Sequence, residues 1–164
     1  MILPEEMGSI AFLRNLNESY LQRIAAMARP EQHEAGAVLF CEGEDSPDIY
    51  FVLTGEVRLE IEQRGGGPIT IYTAGPGEML GWSPVLGRGP MTATARVSAP
   101  CRLAVLDAAR ILGLCERDPR FGMAFLKQVG VFLSDRLHST RRCLAFARAL
   151  PHLSPFALAH EGSD

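Results

Sequence analysis

From Pro30 to Asp107 the chain is built of short apolar runs that alternate with polar residues and are separated by glycine and proline. Val57, Leu59 and Ile61 alternate with charged residues, which predicts a strand with one buried and one wet face. The other strand candidates lie at residues 38–41, 49–53, 69–72, 92–97 and 102–106. Such short, closely spaced strands exclude a doubly wound sheet and predict a mainly β fold, either a small sandwich or a jelly roll.

Helical patterns flank this β-region. Apolar residues at helical spacing precede Pro30, and Asn17 is a plausible N-cap for the second of two short helices. After the strands, Asp107 caps a short helix, and Asp118 with Pro119 begins another that runs without proline to about residue 150. We therefore expect a helical lead-in (1–29), a β-roll (30–107), C-terminal helices (108–150) and a tail (151–164).

The long C-terminal helix carries a helix seam, defined as Leu133, Leu137, Thr140, Leu144 and Ala147, whose members are spaced in steps of four and three. This heptad pattern is typical of a helix that packs along a partner, so we predict a homodimer. The alternative is that these side chains merely cover the β-roll.

Composition limits the function classes. The 164 residues carry 16 basic and 19 acidic side chains, a net charge of −3 that offers no general attraction for nucleic acid. No apolar run approaches the roughly 20 residues of a membrane helix, and the N-terminus lacks a signal-peptide pattern. We expect a soluble cytoplasmic protein with no nucleic-acid or membrane partner.

Motifs for catalysis and metal binding are missing. The four cysteines have no paired spacing, the four histidines have no neighbour at ligand spacing, and no nucleophile elbow or P-loop motif occurs. The acidic run from Glu42 to Asp48 lacks the alternation of a calcium loop. The sequence therefore predicts a protein that is not an enzyme and binds no metal.

A glycine-rich stretch, GEMLGWSPVLGRGPMTAT at residues 77–94, is the strongest candidate for a binding site. Gly77 and Gly81 allow close approach of the backbone, and a turn at Gly81 could direct several backbone N–H groups at an anion. This combination favours a binding module for a small ligand.

Together with the lead-in FLRNLNESYLQRIAAMA, the stretch GAVLFCEGEDSPDIYFVLTGEVRLEI, the TATARV strand and the ending DRLHSTRRCL, this segment resembles the cyclic-nucleotide-binding domain of the catabolite activator family. The resemblance implies a β-roll, or double-stranded β-helix, with N-terminal helices and a long C-terminal helix. In that family the matching segment reads FGELAL and then PRAAT, in which the Glu holds the ribose hydroxyl and the Arg pairs with the cyclic phosphate.

Here Trp82 and Met91 stand in those two places, so the phosphate-binding segment is divergent. Losing the charge-assisted arginine contact alone should cost about 3 kcal/mol, so tight binding of cyclic AMP is not expected. The remaining ligand-binding candidates are Gly81, Ser83 and Thr92. Trp82 could stack on a planar ligand, although we favour its filling the pocket.

Two nearby cations could replace the missing arginine. Arg88 lies in the loop GRG, where pointing to water is the favoured interpretation, and Arg96 lies on a strand as either a pocket cation or a surface residue. The resemblance further implies that Thr140 and Arg141 could close the pocket from above, across a dimer. Their alternative roles are a seam threonine and a solvated arginine.

The function expected from these residues is a stand-alone sensor or regulatory protein that binds a cyclic nucleotide or a related small, anionic or planar ligand. One alternative is a degenerate module that has lost its ligand and serves as a protein-interaction scaffold. Another is a transcription regulator, which the resemblance suggests but the short tail after residue 150 argues against.

Overall fold

The computed structural model describes residues 1–63, 65–87 and 89–149, except for the side chains of 143 and 146–149. It confirms a mainly β fold, a six-stranded antiparallel β-roll with N-terminal helices and a long C-terminal helix. In chain order the elements are α1 (Pro4–Ser9), a 3-10 turn (Ala11–Leu13), α2 (Glu18–Met27), β1 (Arg29–His33), β2 (Val38–Phe40), β3 (Asp48–Ile61), β4 (Ile69–Ala74), β5 (Met79–Leu80), a second 3-10 turn (Ser83–Leu86), β6 (Thr94–Asp107), α3 (Ala108–Arg117) and α4 (Pro119–Ala149).

Two long strands form the centre of the roll. The strand order is β1-β6-β3-β4, with β2 also on β6 and β5 also on β3. Each long strand spans two segments that the sequence pattern presents as separate strands, because β-bulges interrupt the alternation without ending the pairing. At Gly55, where φ is +86°, an added Cβ would lie 2.3 Å from the carbonyl oxygen of Pro100. Only glycine lets β3 pass β6 so closely.

Short-range helix signals are confirmed. The side chain of Asn17 accepts a hydrogen bond from the Tyr20 N–H (2.9 Å), and Asp107 accepts one from the Arg110 N–H (3.0 Å). Asp118 caps α4 in the same way, accepting from the Phe121 N–H at 3.1 Å. β1 is not among the predicted strands, since its sequence RPEQH has no apolar alternation.

The chain divides into two compact units, Met1–Gln128 and Val129–Asp164. In the first, the roll buries an apolar cluster: Phe40, Tyr50, Val52, Val57, Ala74, Leu80, Met91, Ala95, Val97, Cys101, Leu103 and Val105. The second contains the helix seam, of which Leu137 and Leu144 are exposed. The domain bounds expected from the sequence stay a prediction. None of the helices in the described part of the chain is long and apolar enough to cross a membrane.

Candidate functional site

The candidate site is built on a loop that follows a sharp turn. We call residues 77–83 the site loop. Its start is fixed to β3, since the Gly77 N–H donates to the Val52 carbonyl (2.8 Å) and the Val52 N–H donates to the Glu78 carbonyl (2.9 Å). Glu78 also accepts hydrogen bonds from the Tyr72 hydroxyl and the Gly75 N–H. The short strand β5 then carries the chain past Tyr50 and Phe51.

Gly81 lies so close to neighbouring atoms that no side chain would fit at its position. Its φ is +71°, and an added Cβ would lie 2.8 Å from the carbonyl oxygen of Asp48 and 3.2 Å from the Tyr50 ring. The Cε methyl of Met91 is 3.5 Å from the same point. The structure thus brings Gly81 and Met91 together.

The second feature of the site loop is a run of three consecutive backbone N–H groups. Among the described residues, no acceptor is found for the N–H groups of Gly81, Trp82 and Ser83. They lie at the beginning of the second 3-10 turn, whose carbonyls of Trp82 and Ser83 are already used within the turn. Trp82 is half-buried and Ser83 is 4% exposed. Free amide groups at the start of a helical turn can bind an anion or a carbonyl oxygen.

Met91 is buried at the position where the resemblance implies a phosphate-binding arginine. It is 4% exposed and belongs to the apolar cluster inside the roll, beside Tyr50 and Leu80. Its N–H donates to the Glu44 carbonyl and its carbonyl accepts from the Gly43 N–H, both at 2.8 Å. These bonds fasten Met91 to the turn before β3. This end of the site is therefore apolar and held in place.

Arg96 lies on the other face of the same segment. From Met91 to Val97 the odd-numbered residues are buried and the even-numbered ones are not, so Arg96 shares the outward face with Thr92. Its Nε donates to Oε2 of Glu60 at 3.1 Å, and the exposed fractions of the two side chains are 42% and 10%. Of the two interpretations left open by the sequence, the geometry favours an ion-paired surface residue.

Glu60 was not found by sequence reasoning. The alternation in β3 predicts a wet side chain, yet Glu60 is buried beside Arg96. Glu60 still lies on the outward face, two residues from Arg58, the register partner of Arg96, and the Arg96 guanidinium donates to its carboxylate there. No local sequence pattern indicates this ion pair, because Glu60 and Arg96 are 36 residues apart.

Three further candidates are Thr140, Arg141 and Arg88. Thr140 and Arg141 are exposed in the second unit, and the Thr140 hydroxyl donates to the carbonyl of Arg136 at 2.9 Å. Arg88 lies outside the described residues. Burial raises the pKa of the Tyr50 hydroxyl, so this side chain next to Gly81 stays neutral. Within the described ranges, no group of His, Cys, Asp and Glu side chains could hold a metal ion.

The described fold is thus a β-roll with a glycine-supported loop around β5 and a long helix after the roll. The model of the cyclic nucleotide-binding domain family matches residues 30–118, which is more than half of the chain, and the chain belongs to this family.

Two individual proteins are similar to this chain in sequence. The chain is 30% identical over 118 residues to a cyclic AMP receptor protein of Thermus thermophilus, covering 72% of this chain and 48% of that protein. It is 21% identical over 143 residues to a CRP-like cAMP-activated global transcriptional regulator of Mycobacterium tuberculosis, covering 87% and 62%. Less than two thirds of either relative is thus matched.

A solved cyclic nucleotide-binding domain from Methylobacillus flagellatus has a TM-score of 0.77, with 20% identity, covering 92% of this chain and 84% of that one. At this identity the likeness shows the fold alone.

Proposed function

We propose that this chain is a regulatory module that senses a small ligand through the site loop and does not bind cyclic AMP tightly. The observation that carries the proposal is that three backbone N–H groups at residues 81–83, for which the described residues offer no acceptor, lie in the same loop region as the buried, apolar Met91. The backbone of a ligand site is retained, while the side chain that would hold a cyclic phosphate is absent. The family supports a regulatory, non-catalytic role.

This geometry also restricts the ligand. A phosphate next to Met91 would lose its hydration and gain no charge from this side chain, which is costly in an apolar interior. A ligand group at that end is therefore uncharged. An anionic or carbonyl group of the ligand is held instead by the N–H groups of the site loop, and Trp82 offers a planar surface beside them. We thus infer a nucleotide-like or other small planar ligand, bound differently from the ligands of the named relatives.

Calorimetric titration with cyclic AMP tests the proposal. We expect wild type to bind with a Kd of about a millimolar, because an arginine and a carboxylate contact are both missing. The double variant Trp82→Glu/Met91→Arg should bind more tightly than either single variant, since each new charge needs its partner on the ligand. Micromolar binding by wild type would contradict the proposal.

A second candidate function, a protein-interaction scaffold without a ligand, is favoured by the burial of Met91 and its two backbone hydrogen bonds. Thermal stability decides between the two, because a ligand that binds only the folded state raises the Tm. A screen of nucleotides, nucleosides and small anions that leaves the Tm unchanged at millimolar concentration would favour the scaffold.

We also propose that the protein is a homodimer through α4. Leu137 and Leu144 of the helix seam are 50% and 61% exposed, an unusual exposure for two leucines on one helix face. A second copy of the same helix matches their heptad spacing. The regulated partner, whether a further domain or another protein, then receives the signal from a symmetric pair.

A further inference from the structure

The charged residues of the chain are distributed unevenly, and the C-terminal part of α4 is basic. Residues 129–149 contain four arginines and a single carboxylate, Asp135, although the net charge of the whole chain is −3. Over the residues that the structure describes, no ion pair is found for Arg141 or Arg142, and both are exposed. This stretch of helix therefore presents positive charge to its surroundings.

The heptad positions of the helix seam place two of these arginines beside it. The spacing puts Leu137 and Leu144 at position a and Thr140 at position d. Arg136 then falls at position g and Arg141 at position e. These positions border the contact between paired helices and determine which partner is accepted. The two side chains that border the centre of the seam are thus both positively charged.

Contacts within the helix orient the residues at this level of the seam. The guanidinium carbon of Arg136 is 5.1 Å from the centroid of the Phe132 ring, and Arg136 is half-buried. The Thr140 hydroxyl donates to the Arg136 carbonyl at 2.9 Å, so it brings no unsatisfied donor to the seam. Thr140 is smaller and more polar than the leucines on either side of it. The apolar contact between two such helices is therefore weakest beside the two arginines.

A homodimer through this seam brings like charges together. In a parallel pair, each seam residue meets the same residue of the second copy, and a g residue faces the e residue five positions later in the other helix. Arg136 of one copy then faces the partner's Arg141, and symmetry repeats this pair on the other side of the seam. Like charges in such positions repel each other, so the apolar seam and its charged borders have opposite effects on pairing.

We propose that Arg136 of one copy and the partner's Arg141 form a phosphate-binding site on each side of a parallel homodimer, which is tight when a phosphate group occupies the site. The planar guanidinium matches a phosphate with two parallel hydrogen bonds, and two guanidiniums in one place suit a doubly charged anion. Because the site is complete only in the pair, its ligand stabilises the pair. The site rests on the proposed homodimer and does not involve the site loop.

Analytical ultracentrifugation of the full chain tests the site with inorganic phosphate. The dimer Kd is measured in about 10 mM phosphate and in sodium chloride of the same ionic strength, so that charge screening is equal in the two buffers. We expect phosphate to lower the dimer Kd about tenfold, as for two sites that each bind phosphate with a Kd of about 5 mM.

The two ways in which this experiment can fail are distinct. A dimer with the same Kd in both buffers, or with a higher Kd in phosphate, would overturn the phosphate site and leave the homodimer standing. A chain that is monomeric in both buffers would contradict the homodimer and the site together.

A substitution at position e identifies the residue that holds the anion. Arg141→Gln removes the repulsion, so we expect its dimer in chloride to be about fivefold tighter than that of wild type. It also removes one guanidinium from each site, so phosphate should tighten this dimer no further. The matched control is Arg142→Gln, which removes the same charge from the neighbouring exposed position. The control should keep the weaker dimer in chloride and the full response to phosphate, and equal behaviour of the two variants would overturn the proposal.

A comparison of three compounds identifies the source of the phosphate group. AMP carries the same doubly charged group as inorganic phosphate, and adenosine lacks it. If AMP tightens the dimer more than phosphate does, and Arg141→Gln abolishes this effect, the site takes a nucleotide. Equal tightening by AMP and phosphate assigns it to the phosphate group alone. Tightening by adenosine, or by AMP to the same extent in Arg141→Gln, would place the effect at another site and contradict the proposal.

Discussion

Met91 and Leu137 are both apolar residues at positions that the sequence connects with function, and the structure treats them in opposite ways. Met91 is 4% exposed inside the roll, whereas Leu137 is 50% exposed on α4. Residues of the roll itself cover the apolar surface of Met91. Leu137 has no such cover among the described residues of its unit, so its apolar surface is available to another chain. The comparison teaches that two apolar residues singled out by sequence pattern differ in whether their own fold buries them.

The largest expected effect tests the burial of Met91. Met91→Arg places an unpaired cation in the apolar cluster and should lower the free energy of unfolding by about 3–5 kcal/mol. Thr92→Arg, on the outward face next to it, should change it by less than about 0.5 kcal/mol. Urea denaturation measures both. Equal stability of the two variants would mean that the space around Met91 already admits water.

The next largest effect tests the exposed Leu137 and the proposed homodimer. Leu137→Glu puts a carboxylate into the helix seam and should weaken the dimer by about 3 kcal/mol, more than a hundredfold in the dimer Kd. Ser139→Glu adds the same charge to an exposed position outside the seam. Light scattering over a concentration series reads the mass of each variant. A wild type that is monomeric at tens of micromolar, or a Leu137→Glu dimer as tight as the control, would contradict the homodimer.

A smaller effect sharpens the assignment of inward and outward faces. Arg96→Gln removes the partner of the buried Glu60 carboxylate and should destabilise the fold by about 1 kcal/mol, since the guanidinium is partly screened by solvent. Arg58→Gln, on an exposed position paired with Arg96 across β3 and β6, is the control. Cyclic AMP affinity should be unchanged in both variants. A loss of ligand binding in Arg96→Gln alone would show that Arg96 serves the pocket.

The smallest effect is a dependence on pH. Hydrogen bonding to Arg23 lowers the folded pKa of Asp118, and hydrogen bonding to Arg102 lowers that of Glu6. Each carboxylate therefore stabilises the fold above its unfolded pKa of about 4, and this contribution is lost as the pH falls through the lower folded value. Thermal melts between pH 7 and pH 3 should show a shallower decline for Asp118→Asn than for wild type. The exposed Asp135→Asn should follow wild type, and a decline in Asp118→Asn as steep as in wild type would count against the pair.

Much of this fold could be predicted from local patterns. The N-caps at Asn17, Asp107 and Asp118 and the period-two alternation around Val57 depend on neighbours within a few residues, so the sequence displays them. The strand β1 and the continuity of β3 through Gly55 could not be predicted in the same way. Both depend on pairing with β6, a segment distant in sequence.

The sequence by itself determined that Trp82 and Met91 stand where the resemblance implies a carboxylate and an arginine, because the identity of each side chain can be read directly from the chain. Only the tertiary structure decided where the remaining side chains point. It placed Met91 in the core against Gly81 and joined Arg96 to Glu60. The physical reason is that burial and ion pairing depend on contacts between strands that are distant in sequence. The alternation of residues specifies the face of a strand on which a side chain lies, but not the residue of the neighbouring strand that contacts it.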